Sequence, residues 1–174
     1  KNCKLCPRLH SLRISNKENF PDFFNAPVPA FGPIKAALLI VGLAPGFKGA
    51  NRTGRPFTGD FAGTVLYPTL IKSGLAVGCY EASSHDNIKL IECRITNAVR
   101  CVPPQNKPIG SEIASCRSFL RNEIHAMPNI RGLLALGIVA HNSALTALGI
   151  KQNAHRFSHG VFHQISPNFW LGNS

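Results

Sequence analysis

No apolar run in this chain approaches the ~18 residues of a membrane-spanning helix. Its opening, KNCKLCPRLH, has no apolar stretch of the kind a signal peptide carries. Neither a membrane nor a secreted protein is expected, and the cytosol is the default compartment. Acidic residues are scarce: 8 Asp and Glu stand against 19 Lys and Arg, for a formal net charge of +11. An imbalance of that size argues against an acidic partner and for a polyanionic one, most simply a nucleic acid. Internal repeats and low-complexity tracts are absent, so a solenoid or a disordered tail is not expected. Two familiar nucleotide-binding signatures are also missing, since no glycine-rich stretch ends in Gly-Lys-Ser/Thr and none reads G-x-G-x-x-G.

What is present fits a globular domain of 174 residues, long enough for one sizeable core and expected to act as a monomer. The run AALLIVG (36–42) is short and wholly apolar, the pattern of a buried parallel strand. CRITNAV (93–99) and RGLLALG (131–137) read as two more strands. FAGTVLYPTLIKSGLA (61–76) has helical spacing, with Pro68 expected to kink or break it. SEIASCRSFLRNEIHAM (111–127) is a helix with Ser111 as candidate N-cap and Pro128 as the stop, and IVAHNSALTALG follows the third strand as another helix. A last strand-like stretch, GVFHQI…NFWLG, closes the chain. This alternation predicts an α/β fold: a three-layer sandwich with a central, mainly parallel sheet flanked by helices. The first 35 residues contain five prolines and little periodicity, and are expected to wrap the domain. The chain begins at Lys1 rather than at a methionine and stops just after NFWLG, so it reads as trimmed at the C-terminus.

In such a sheet the functional loops follow the carboxyl ends of the strands. GLAPGFKGANRTGRPFTGD (42–60) leaves the first strand and holds five glycines, two prolines, two arginines and a lysine. Glycine and proline impose an unusual path with exposed amides, while Lys48, Arg52 and Arg55 add positive charge, which suits a phosphate-bearing ligand. Phe57 in that loop is either a stacking platform for a base or an anchor in the core. Asp60 is either a carboxylate that orients water or stabilises a cationic transition state, or the N-cap of the helix starting at Phe61. Asn97, a polar residue near the end of an apolar strand, offers the donor and acceptor that match a pyrimidine edge, or else bridges neighbouring loops.

Six cysteines in a chain of this class favour a metal or thiol site over disulfides. Cys79 and Cys93 stand apart. The other four form C-x2-C at Cys3 and Cys6, a gap of 94 residues, then C-x14-C at Cys101 and Cys116. Four thiolates suit zinc or a [4Fe–4S] cluster equally in number, but a zinc ribbon pairs two tight knuckles and C-x14-C is not one, which favours iron–sulfur. The histidines, His159 and His163 included, show no ligand spacing with these cysteines.

GLAPGFKGANRTGRPFTGD, ITNAVRCVPPQNKP, the C-x-x-C start and FSHGVFH together resemble the family 5 uracil-DNA glycosylases of bacteria and archaea. The resemblance covers nearly the whole chain. It implies a DNA-repair enzyme that flips uracil, or another damaged base, out of DNA and hydrolyses its N-glycosidic bond. It implies a structural [4Fe–4S] cluster on Cys3, Cys6, Cys101 and Cys116. Phe57 would stack on the flipped base and Asn97 would read its polar edge, in a pocket floored by Gly42, Leu43, Ala44, Pro45 and Gly46. That GLAPG segment lacks the polar residue with which related families activate water, and the candidate catalytic carboxylate becomes Asp60. Arg52 and Arg55 would hold DNA phosphates. The family's last motif, a histidine-serine loop after the final strand, has no counterpart before Ser174, and His159 and His163 fall instead in the preceding turn and strand. A non-catalytic, metal-stabilised nucleic-acid-binding module and an enzyme of phosphorylated metabolites are the competing readings.

Overall fold

The computed structural model describes residues 2–174. In chain order the elements are helix α1 (Pro7–Asn19), strand β1 (Leu38–Gly42), a single helical turn α2 (Ala50–Thr53), helix α3 (Phe61–Lys72), the short strands β2 (Ala76–Val77) and β3 (Lys89–Leu90), strand β4 (Cys93–Asn97), helix α4 (Gly110–Ala126), strand β5 (Gly132–Ala135), helix α5 (Ile138–Ala147), and strands β6 (Phe162–Ser166) and β7 (Phe169–Asn173). Five strands form one sheet in the order β4-β1-β5-β7-β6. Its first four are mutually parallel, and β6 returns antiparallel to β7. A two-stranded ribbon, β2 with β3, lies apart. Among the described residues no helix is long and apolar enough to cross a membrane.

The layers follow from the two-residue period of the central strand. Leu39 and Val41 of β1 point to one face, where they join Leu133 and Ala135 of β5 under Leu120 and Ile124 of α4 and Ala144 and Leu145 of α5. Ile40 points to the other face and meets Ile95 of β4 under Tyr67 and Leu70 of α3. A buried central strand needs apolar residues on both sides, which is why LLIVG has no alternation. The expected sandwich is therefore present.

Three local expectations need correction. The first 35 residues are not all wrapping, because Pro7–Asn19 is a helix. It buries only Leu9, Arg13 and Asn16, one side of a mostly polar cylinder, so it carries almost no apolar signal. Residues beyond it do wrap: Phe31 exchanges two backbone hydrogen bonds with Ile95 and so covers the outer edge of β4. Ser111 is not a cap, since α4 begins one residue earlier, and the Ile109 amide donates to Glu112 instead (2.9 Å). Pro68 neither ends nor splits α3, which continues to Lys72 with Tyr67 and Leu70 buried on either side of it.

A candidate base-binding site and a cysteine cavity

The sheet puts the ends of β1 and β4 side by side, with Gly42 in register with Asn97. Gly42 has no side chain for a reason. A Cβ there would overlap the Phe57 ring and approach the Asn97 carbonyl oxygen. Only glycine lets the strand end, the aromatic ring and the amide converge. Phe57 adopts a left-handed backbone (φ 53°), uncommon for a bulky residue, and this conformation turns its ring back over Gly42. Asn97 is buried, and no hydrogen bond to its side-chain amide is found among the described residues.

Phe57 and Asn97 line a cavity of about 780 Å³, of the size that holds a small ligand, whereas Gly42, expected in its floor, does not reach its wall. Leu43, Ala44, Pro45 and Gly46 form its wall, as expected of the GLAPG segment, and Asp60 and Phe61 stand at the start of α3 beside it. Asp60 does cap the helix that starts at Phe61. As the N-cap of α3 its Oδ1 accepts from the Gly63 amide (3.1 Å). Its Oδ2 lies against Gly49, where a Cβ would come within 2.5 Å of it. The carboxylate is thus held in the cavity wall by the helix it caps, with its second oxygen turned toward the glycine-rich loop. The Phe57 ring lines the cavity while packing on the core beneath α3.

The two arginines part company. Arg52 is exposed, and its Nε donates to the Lys48 carbonyl (2.8 Å). Arg55 is only 6 % exposed and cannot serve as a surface phosphate contact. Its two terminal nitrogens bind Asp86 (2.6 and 2.7 Å), its Nε donates to the Thr58 hydroxyl (2.8 Å), and its guanidinium lies over the rings of Phe31 and Tyr67. The guanidinium in turn holds the Asp86 carboxyl below the usual carboxylate range. The inward course of Arg55 is not legible in the sequence, because its partner lies 31 positions away in a loop with no pattern to announce it.

Sequence reasoning missed Tyr80. Its hydroxyl donates to the Phe57 carbonyl (3.2 Å) and accepts from the Gly59 amide (3.3 Å), gripping the turn between the stacking ring and Asp60. Burial pushes this phenol up, so it stays a neutral donor, and its ring stacks on Tyr67 at 4.7 Å. Tyr67 is anchored by its own hydroxyl on the Pro56 carbonyl (2.7 Å). The chain has only these two tyrosines, and that scarcity was the one signal available.

The four cysteines singled out by spacing line a second, small cavity between α1, α4 and the exit of β4. Cys101 and Cys116 are buried, and Cys3 and Cys6 are half-buried. Burial pushes the Cys101 thiol up to about 12 and raises Cys116 and Cys6 as well, and negative charge on the neighbouring sulfurs adds to each rise. Burial raises Cys93, outside this group, to about 11 in the same way, so these shifts report apolar surroundings. Among the described residues no three Cys, His, Asp or Glu side chains close on a point as the ligands of one ion do. Cys93 is buried in β4 and Cys79 is exposed, both away from this group. His159 lies in the turn before β6 and His163 within it, as expected. Around the thiols, Arg8 of α1 binds Glu112 of α4 (2.7 and 2.8 Å), and Arg13 donates to the Cys3 carbonyl.

A model of the uracil DNA glycosylase superfamily matches residues 29–173. A type-5 uracil-DNA glycosylase of Thermus thermophilus is 40% identical over 168 residues, which span 94% of this chain and 76% of that protein. The chain belongs to the type-5 uracil-DNA glycosylases. A second type-5 uracil-DNA glycosylase, from Pyrobaculum aerophilum, is 40% identical over 164 residues, 91% of this chain and 71% of that one. The type-4 uracil-DNA glycosylase of the same organism is 33% identical over 150 residues. In this type-5 chain the matched region holds Phe57, Asp60 and Asn97 of the cavity wall, together with Cys101 and Cys116.

Proposed function

We propose that this chain removes uracil from DNA by hydrolysing the bond between base and sugar. The observation that carries the reading is the convergence of Phe57, Asn97 and Asp60 on one cavity at the carboxyl ends of β1 and β4. Extruding a nucleotide costs a few kcal/mol of stacking and pairing. The cavity offers repayment on two edges of the base: the Phe57 ring for its face, and the unpartnered Asn97 amide for its donor–acceptor edge. As the bond lengthens, positive charge grows on the sugar and negative charge on the base. Asp60 is the carboxylate in the cavity wall that would face the cationic sugar and orient the attacking water, and the loop amides of Leu43–Gly46 would face the departing base. The formal charge of +11, with Lys48 and Arg52 exposed on the same loop, supports phosphate binding by this surface.

The four-cysteine cavity supports a structural [4Fe–4S] cluster held by Cys3, Cys6, Cys101 and Cys116. A cluster takes each thiolate on a separate iron and so suits sulfurs that surround a cavity without closing on one point. Its chemistry here is mechanical, because hydrolysis requires no electron transfer.

The test is a duplex oligonucleotide carrying one deoxyuridine, incubated with the protein and then treated with alkali to cleave at abasic sites. Cleavage at the uracil position, absent with the thymidine control, is expected. Tight binding without base release would favour the non-catalytic DNA-binding module instead.

A further inference from the structure

Phe61 is the most exposed of the large apolar side chains among the described residues, at 83%. It occupies the first turn of α3, directly after Asp60, and lines the mouth of the base cavity. Val65, one turn on and 56% exposed, extends the same apolar strip along the rim. Phe57 already supplies the aromatic surface inside the cavity, so a second ring so open to solvent does not enclose the bound base. It faces whatever remains outside once the base has entered. The adjoining surface is basic: the guanidinium of Arg52 lies against Gly59, two residues before Phe61. An apolar ring with the Arg52 guanidinium nearby, at the mouth of a cavity lined by Phe57 and Asn97, matches a nucleobase attached to phosphates better than it matches a protein or lipid surface.

The geometry points to Phe61 as a DNA-contacting wedge that stacks on the nucleobase flanking the extruded nucleotide and fills part of the gap left in the helix. This deepens the base-release reading and rests on it. Extrusion leaves an unstacked neighbour, and apolar side chains at DNA-bending interfaces commonly take that place. Phe61 would therefore act on the extrusion step, before any bond is broken. Because the ring is almost free of protein contact, removing it should leave folding intact.

The experiment uses a duplex with an uncleavable 2′-fluoro-deoxyuridine and 2-aminopurine as its neighbour. For the wild type, binding should change the 2-aminopurine fluorescence as the ring stacks on it. F61A should weaken binding roughly 5- to 100-fold and abolish the fluorescence change, with an unaltered melting temperature. F61W should restore both, whereas F61L should restore affinity only in part. On cleavable uracil duplex, kcat/KM of F61A should fall by a similar factor. If F61A matched the wild type in affinity, fluorescence and kcat/KM while the wild type released uracil, the wedge would be wrong and the base-release reading would stand. If the wild type neither bound nor cleaved uracil DNA, both would fall together. Should F61A leave DNA binding unchanged but abolish a self-association seen by sedimentation, the strip would be a contact between copies of the chain, and the proposal would be overturned.

Discussion

The base cavity and the cysteine cavity start from the same strand and are built to opposite ends. Asn97 closes β4 and faces an open chamber of about 780 Å³ walled by apolar side chains and glycines. Four residues later Cys101 faces a small, buried chamber ringed by thiols. In the first, the Asn97 amide has no side-chain hydrogen bond among the described residues, so that a visiting ligand can supply one. Around the second, contacts tie its elements together: Arg8 with Glu112, Arg13 with the Cys3 carbonyl, and the Arg100 amide with the Cys116 sulfur at 3.4 Å. An open chamber can receive a visiting ligand, whereas cross-links between α1, α4 and the exit of β4 hold chain segments together.

The two are joined. Asn25 donates to the carbonyls of Asn16 (3.1 Å) and Phe20 (2.7 Å) at the end of α1 and accepts from Asn51 (2.9 Å) in the glycine-rich loop. Two backbone bonds, from Phe24 to Arg52 and from Asn25 to Asn51, run beside them. The helix that has Cys6 at its start is thus tied at its end to the glycine-rich loop.

The largest effect should come from breaking the cysteine site. C101S should strip the cluster and cost several kcal/mol, because the metal-binding energy of such a site is part of the folding energy. Iron and sulfide, expected at about four each per chain in the anaerobically purified wild type, should fall together with the melting temperature. Base release should decline too, through slackening of α1 and the asparagine relay. A colourless wild type with one zinc would remove the cluster while keeping the four-thiol site.

Next in size, and opposite in kind, is D60N. Asparagine caps a helix about as well as aspartate, and its carbonyl oxygen can still accept from Gly63. The melting temperature and DNA affinity should hold, while base release falls by about 10²–10⁴-fold. A D60N protein with wild-type turnover would leave Asp60 as a cap and nothing more. Contrasted with C101S, this variant separates a residue whose loss is read in chemistry from one whose loss is read in stability.

N97A should be gentler. The Asn97 amide has no side-chain hydrogen bond among the described residues, so its removal breaks none and should cost little stability. Discrimination between uracil and cytosine should weaken by about 1–3 kcal/mol. Retained rejection of cytosine in N97A would place the reading of the base edge elsewhere.

What the sequence disclosed about each region follows from how local the governing forces are. Buried strands announce themselves as apolar runs, and the four thiols by their chemistry, so the sheet and the cysteine set were legible. GLAPG and the loop after it were legible because glycine and proline act on their own backbone. Arg55 was not, since its burial depends on Asp86 and on two aromatic rings from other parts of the chain. Helix α1 was not, since a helix docked by one leucine, an arginine and an asparagine has no stripe to detect. The wedge candidate Phe61 reads in sequence as the first apolar residue of a helix, and only its exposure distinguishes it.

The smallest effect, and the finest test of how the open site is kept in shape, is Y80F. The substitution keeps the ring that stacks on Tyr67 and deletes only the hydroxyl bridging the Phe57 carbonyl and the Gly59 amide. One hydrogen-bonding group lost from a half-buried position should cost about 1 kcal/mol of stability. The consequence for function has a direction of its own. Phe57 holds a left-handed backbone that a bulky residue adopts only under constraint, and the Tyr80 hydroxyl is one of the constraints. Released, the ring should spend part of its time away from Gly42, so the base meets a less ordered platform. The loss should therefore appear chiefly as a raised KM, about fivefold if the full ~1 kcal/mol is expressed there, with discrimination against cytosine intact because Asn97 is untouched. A fall in kcat at constant KM would instead assign Tyr80 to the placement of Asp60, three residues along the same turn.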